Sequence, residues 1–368
     1  MELKPIVIGI TQGDINGIGY EVIIKSLMDN VINELCIPIV YGSPKVAAYH
    51  RKALNINNFS FNNIRTADEA NHKRANMINC LDDNVRVELG KSTSHGGETA
   101  LISLEKAVED IKAGKFNVLV TAPIDKHSMQ SENFHFPGHT EYLKSKFGVE
   151  EALMFMIGES MKIGVVTGHV PLSKVPELIT IDSVIKKIRL MNQSLQYDFA
   201  IRKPRIAVLG LNPHAGDNSL LGKEEAETIT PALLKAQQEG ILAFGPFPAD
   251  GFFGAGSFTK FDGILAMYHD QGITPFKALS FDTGVNFTAG LPIVRTSPVH
   301  GTAFSIAGKG EASESSFRQA IFLACDIFRN RQFYNDAAQN PLKHQDIEIH
   351  SDHVDELPPE IFNAEQPL

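Results

Sequence analysis

Short apolar runs rich in β-branched residues punctuate the chain, and between them apolar positions recur every three or four residues. Ile6–Ile10, Ile37–Tyr41, Val118–Thr121, Ile163–Thr167, Ile206–Leu211 and Ile264–Tyr268 read as strands. Thr99–Ala113 reads as a helix closed by Gly114. Asp182–Tyr197 puts Val184, Ile188, Met191 and Leu195 on one face. Lys223–Glu239 is helical in pattern, with Pro231 marking a kink or a fresh start. Strand and helix signals that alternate in this way predict an α/β fold around a largely parallel sheet. The Asn-rich stretch 55–84 has no period and reads as an irregular insertion. The acidic, proline-containing tail from Asn340 reads as a loosely packed extension.

The 368 residues, 43% of them hydrophobic, suffice for one large α/β unit or for two to three domains with a real core. A net charge of −9 argues against a general nucleic-acid binder but leaves room for local basic pockets. Cys36, Cys80 and Cys325 lie far apart with no CxxC pair, which argues against a disulfide framework or a thiolate zinc site and fits a reducing cytoplasm. The apolar run near the N-terminus is too short for a signal peptide, and no stretch approaches the ~20 apolar residues of a membrane span.

Three segments share one form, an apolar strand that ends in a histidine-bearing polar loop: "IGVVTGHVPLS" with His169, "IAVLGLNPHAGDNS" with His214 and "ILAMYHDQG" with His269. In sheets of this class ligands bind beyond the carboxyl ends of the strands, so these histidines can converge there as ligands of a divalent ion. The alternative for each is a hydrogen-bonded loop histidine. Asp250 and Asp270 are acid–base candidates or partners of the histidines, and ordinary loop aspartates otherwise.

"TQGDINGIGYE" fails the Rossmann test because Gly13, Gly17 and Gly19 have the wrong spacing. It is a small-ligand loop or a turn and helix start capped by Asp14 or Asn16. "FPGHTEYL" places His139 and Thr140 at a helix N-terminus, where free N–H groups favour an anion or where Thr140 caps with support from Glu141. Lys277, Asn286 and Arg295 set two cations and an amide in a largely apolar segment, as a phosphate or carboxylate pocket or as structural salt bridges.

The strings TxGDxxGIGxE, VTAPIDK, PGHTE, GLNPHAGD, GxEE, YHDQG and GLPxxRTSPxHGTA, in this order from about Pro5 to Arg331, closely resemble the 4-hydroxythreonine-4-phosphate dehydrogenase family of pyridoxal phosphate biosynthesis. Asp14-Ile15-Asn16 departs from that family's Asp-Pro-Ala. The resemblance implies a two-domain α/β/α fold like that of isocitrate and isopropylmalate dehydrogenases, with a cleft between 1–130 plus 285–368 and 131–284. It implies a homodimer with the active site shared across the interface. His169, His214 and His269 match the family's metal ligands, drawn from both subunits. His139, Thr140, Lys277, Asn286 and Arg295 match its substrate-binding positions, and Asp250, Asp270 and Lys277 become the acid–base candidates.

The implied reaction is NAD- or NADP-linked oxidation of 4-phosphooxy-L-threonine with one divalent ion, Zn²⁺, Co²⁺ or Mg²⁺. Its product, 2-amino-3-oxo-4-phosphooxybutanoate, decarboxylates to 3-amino-2-oxopropyl phosphate. Three further readings remain open: a paralogue acting on erythronate or threonate 4-phosphate, a metal hydrolase built on the three histidines, and a non-catalytic metal-stabilised binding protein.

Overall fold

The six apolar runs become strands because each is buried on both faces, which suits the β-branched side chains that dominate them. The computed structural model describes residues 5–82, 84–130 and 134–340, so nearly all of the acidic tail lies outside the described residues. Twelve strands form one sheet: β1 (Ile6–Thr11), β2 (Cys36–Gly42), β3 (Asn62–Ile64), β4 (Asn76–Asn79), β5 (Val118–Thr121), β6 (Leu153–Ile157), β7 (Lys162–Val165), β8 (Arg205–Leu209), β9 (Leu242–Phe247), β10 (Gly263–Ala266), β11 (Val285–Ala289) and β12 (Val294–Pro298). Their order is β3-β4-β2-β1-β5-β12-β11-β6-β7-β10-β8-β9. With helices between the strands, this is the expected α/β class.

The sheet has two parallel blocks. One runs from β3 to β12 and the other from β7 to β9. They meet at a seam where β12, β11, β6 and β7 pair antiparallel in succession. The blocks therefore point in opposite directions, and their carboxyl ends do not share one edge. Across the seam, Asn286 is opposite both Ser297 and Met156.

The helix expected near Thr99–Ala113 spans Ser94–Lys112, opened by Thr93, whose hydroxyl accepts from Gly96 N–H at 3.0 Å. The helix Ile181–Tyr197 has a capping box between Thr180 and Ser183. Pro231 marks a new start: one π-type turn, Glu225–Ile229, gives way to an α-helix, Thr230–Gln238, with the proline in its first turn.

One expectation is corrected. The stretch 55–84 is not wholly irregular, because it supplies β3 and β4, the edge of the sheet. Asparagine amides do there what apolar periodicity does elsewhere. The Asn76 amide, fully buried, donates to the carbonyls of Pro38, Asn71 and Arg74 at 3.2, 3.0 and 2.9 Å. Its oxygen accepts from Asn62 and from Asn71 N–H at 2.9 and 2.8 Å.

The long helix Ser315–Gln339 is locked to the Ile181–Tyr197 helix by a buried ion pair. Arg331 Nε donates to Asp198 Oδ1 at 2.6 Å, and Ser194 Oγ donates to Oδ2 at 2.6 Å. Arg331 also donates to the Leu291 carbonyl at 3.2 Å, so the guanidinium keeps partners around it. Removing the carboxylate leaves a buried cation, which costs about 3–5 kcal/mol. Asp198→Ala should lower the urea-unfolding free energy by that order, and a loss below ~1 kcal/mol would show that water replaces the carboxylate.

Candidate active site

A cavity of about 430 Å³ lies over the seam. Thr121 of β5, Met154 and Met156 of β6, Asn286 of β11, and Arg295 and Ser297 of β12 line it, together with His139, Thr140, His169, His269 and Lys277. Alternate residues of each strand face one side of a sheet, which is why 154 and 156, and 295 and 297, appear as pairs.

Arg295 is 3% exposed. Its Nε and Nη2 donate to Thr121 Oγ1 at 3.2 and 2.7 Å, and its Nη1 donates to Thr288 Oγ1 at 3.2 Å. Among the described residues it forms no salt bridge. Burial pulls its pKa down to about 10, opposed only by Glu141. A guanidinium taken out of water without a counter-ion is costly, and an arriving anion removes that cost. Thr140 Oγ1, 3.4 Å from Thr288 Oγ1, brings the first turn of the helix His139–Phe147 over it. Gly138 begins that helix with no side-chain cap, leaving first-turn N–H groups free for an anion. His139 Nε2 is wholly shielded and unpartnered. Burial first, then Arg295 and Lys126, holds this imidazole well below its usual pKa, so it is neutral.

His169 and His269 stand side by side with ring centroids 5.5 Å apart. Their loops are bound together: Val166 and Thr167 N–H donate to the carbonyls of Ala266 and Met267, and the Thr167 hydroxyl donates to Met267 O at 2.8 Å. His269 opens the helix His269–Ser280, where the sequence reads as a strand end running into a loop. Its Nδ1 lies 2.7 Å from Asp270 Oδ1. A carboxylate only accepts, so Nδ1 donates, and the neutral tautomer this favours presents its Nε2 lone pair to a metal. Gln271 bridges the neighbouring loops, accepting from Met267 N–H at 2.7 Å and donating to Gly210 O at 2.6 Å.

His214 does not join the pair in this chain. It sits in the exposed loop after β8, where His214, Ala215, Asp217, Asn218 and Ser219 all have positive φ. Such a run of strained non-glycine residues needs external support. Glu225 supplies it, its Oε1 accepting from Leu211 and Asn212 N–H, both at 2.7 Å. Among the described residues no three His, Cys, Asp or Glu side chains gather as a metal site. Two imidazoles suit a borderline divalent ion, and one chain supplies only those two.

Asp250 is exposed on the helix Ala249–Gly254 and is not among the cavity's lining residues, whereas Lys277 and Asn286 are. Asp14 and Asn16 organise their own loop: Asp14 Oδ1 accepts from Asn16 N–H at 2.8 Å, and Asn16 Oδ1 from Glu88 N–H at 2.7 Å. That is the turn reading of "TQGDINGIGYE", although the following helix starts without a side-chain cap.

Lys126 and His300 are among the lining residues to which the sequence patterns assign no role. Lys126 Nζ lies 3.3 Å from His169 Nε2. His300 Nδ1 donates to Gly301 O at 3.1 Å, which leaves Nε2 buried without a partner. Their only signal was membership of the strings VTAPIDK and RTSPxHGTA.

Comparisons with known proteins agree on a family. The family model described as pyridoxal phosphate biosynthetic protein PdxA matches residues 34–324. A 4-hydroxythreonine-4-phosphate dehydrogenase of Bacteroides thetaiotaomicron is 54% identical over 354 residues, covering 96% of this chain and 97% of the relative. A relative from Oceanobacillus iheyensis, 40% identical over 89% of this chain and 99% of its own length, carries a provisional D-threonate 4-phosphate dehydrogenase name. The crystal structure of a 4-hydroxythreonine-4-phosphate dehydrogenase from Klebsiella pneumoniae matches with a TM-score of 0.77 at 32% identity, covering 88% of this chain and 99% of that one.

If Arg295 awaits an anion, inorganic phosphate should raise the melting temperature of the wild type by several degrees at ~100-fold above its Kd, where linkage contributes about 2.7 kcal/mol. Arg295→Met should lose this response while melting no lower than the wild type without phosphate. An unchanged phosphate response in the variant would place the anion elsewhere.

Proposed function

The chain belongs to the pyridoxal phosphate biosynthetic protein PdxA family, and on that premise we propose that it is a dehydrogenase oxidising the C3 hydroxyl of 4-phosphooxy-L-threonine. The product is 2-amino-3-oxo-4-phosphooxybutanoate, which loses CO₂ to give 3-amino-2-oxopropyl phosphate. The observation that carries this reading is the buried, carboxylate-free Arg295 in one cavity with the His169–His269 pair. That cavity offers an anion site and two of the three proposed metal ligands to one small substrate.

The phosphate binds to Arg295, held in a fork by Thr121 and Thr288, with Lys277 adding a second charge. Thr140, Asn286 and the first turn of the helix His139–Phe147 supply neutral donors. Neutral His139 adds no charge and can face the phosphate through a protonated nitrogen. Held at one end, the substrate lays its C3 along the cavity toward His169 and His269.

Those two residues, with His214 of a second copy of the chain, would hold the divalent ion, Zn²⁺, Co²⁺ or Mg²⁺. When bound, the ion acts as a Lewis acid toward the C3 hydroxyl. Asp270 fixes the His269 ring for that task. NAD or NADP, when bound, would supply the acceptor for the C3 hydride. In this reading the enzyme is a cytoplasmic homodimer, and 1–130 plus 285–368 and 131–284 form two units that meet at the seam. The name of the Oceanobacillus relative keeps threonate 4-phosphate as the second candidate, since it needs the same anion site and the same hydride step.

Absorbance of reduced nicotinamide with 4-phosphooxy-L-threonine, D-threonate 4-phosphate and D-erythronate 4-phosphate, side by side, decides the substrate. The aminated ester should have the highest kcat/KM, and a hydroxy acid turning over faster would replace it.

Assembly has its own test. Since His169 and His269 stand on one chain, mixing inactive His214→Ala and His269→Ala chains should restore roughly a quarter of wild-type activity through mixed dimers. Mixing His169→Ala with His269→Ala should restore none. Absence of rescue after verified exchange would mean that His214 is no ligand across an interface.

A further inference from the structure

Among the described lining residues the cavity carries three permanent cations, Lys126, Lys277 and Arg295. A phosphate accounts for the last two. Lys126 stands apart from them, its Nζ donating to His169 Nε2 at 3.3 Å and forming no salt bridge among the described residues.

The backbone that carries Lys126 is fixed. Pro123 O accepts from Asp14 N–H at 2.9 Å, and Gly13, at φ +68°, packs so closely on that carbonyl that a Cβ would come within 2.3 Å of it. Asp125 accepts from His127 N–H at 3.1 Å and from the Ser92 hydroxyl. The Gln130 amide donates to Lys126 O at 3.3 Å. From this loop the lysine side chain reaches His169 at the cavity.

A permanent cation beside the ligands of a second cation is repelled unless negative charge forms between them. The proposed reaction forms such charge on one atom, the C3 oxygen, at two stages. In the oxidation C3–H leaves as hydride to the nicotinamide and the hydroxyl proton is released to solvent. In the decarboxylation the C1–C2 bond breaks and CO₂ leaves. The freed electron pair makes the C2–C3 double bond, and the carbonyl π pair moves onto the C3 oxygen. Water then protonates C2 and the ketone returns.

Resting on the substrate reading above, we propose that Lys126 is a further catalytic residue, whose ammonium donates a hydrogen bond to the C3 oxygen and stabilises the charge that develops there. The rival position for Lys126 is the substrate carboxylate at C1, and a 3-deoxy analogue separates the two.

The experiment measures binding to metal-loaded enzyme without nicotinamide, by calorimetry, for 4-phosphooxy-L-threonine and for O-phospho-L-homoserine, which lacks only the 3-hydroxyl. Lys126→Met should reduce the preference for the hydroxylated ester by about 10- to 100-fold, the range of a hydrogen bond to a charged group. It should bind the deoxy ester as the wild type does and keep its metal content. With nicotinamide present, kcat should fall more than KM rises, and Lys126→Arg should recover part of the loss. A variant that weakens both esters equally, matches the wild type on both, or loses metal overturns the role of Lys126 alone. A wild type that binds neither ester overturns the substrate reading, and this proposal with it.

Discussion

The site depends on a guanidinium that has been taken out of water and given no carboxylate. Arg295 lies on the seam of the sheet, and the hydroxyls that hold it come from β5 and β11, the strands on either side of its own. Two threonines meet its geometry but leave its charge unanswered. That is an expensive arrangement for stability and an effective one for capturing an anion, because the protein meets the desolvation cost before the ligand arrives. Much of what surrounds it is consistent with this use. His139 is kept neutral, a helix N-terminus stands open, and Glu141 is the one carboxylate among the described residues that line the cavity.

The seam explains why the cavity sits on a face of the sheet rather than at a single edge. With the two parallel blocks pointing in opposite directions, the rule of ligands beyond the carboxyl ends holds for each block separately. The β7 and β10 ends deliver His169 and His269 from one block. The β5 and β12 strands deliver Thr121 and Arg295 from the other. The antiparallel strands between them, β11 and β6, form the floor with Asn286, Met154 and Met156. In the proposed reading, the anion-binding and metal-binding groups therefore share one cavity.

His214 shows where the single chain stops. Its loop carries a buried glutamate that clamps two backbone N–H groups and a run of left-handed residues, yet its histidine is not among the residues that line the cavity. The same strain gives no stability to the chain alone, and a second copy supplies the reason for it in the proposed homodimer.

The sequence by itself determined the α/β class, the principal parallel strands and a break in the helical pattern at Pro231, and it singled out Lys277, Asn286 and Arg295, which the fold brings to one cavity. Each of these rests on local chemistry: β-branched runs buried on both faces, a proline that lacks an N–H, and cations set in apolar surroundings. The ordered motifs also carried the family. The seam was not legible, because its central pairing, β11 with β6, joins segments far apart in the chain. The edge strands in 55–84 escaped notice because asparagine amides, and not apolar periodicity, hold them. Equal strand-end context made the three histidines look alike, and only tertiary structure separated His214 from His169 and His269. Lys126 met His169 in the same way, across 43 residues of sequence. A side chain's type and local pattern are written in the chain, but which distant group lies a few ångströms from it is decided by strand order and direction.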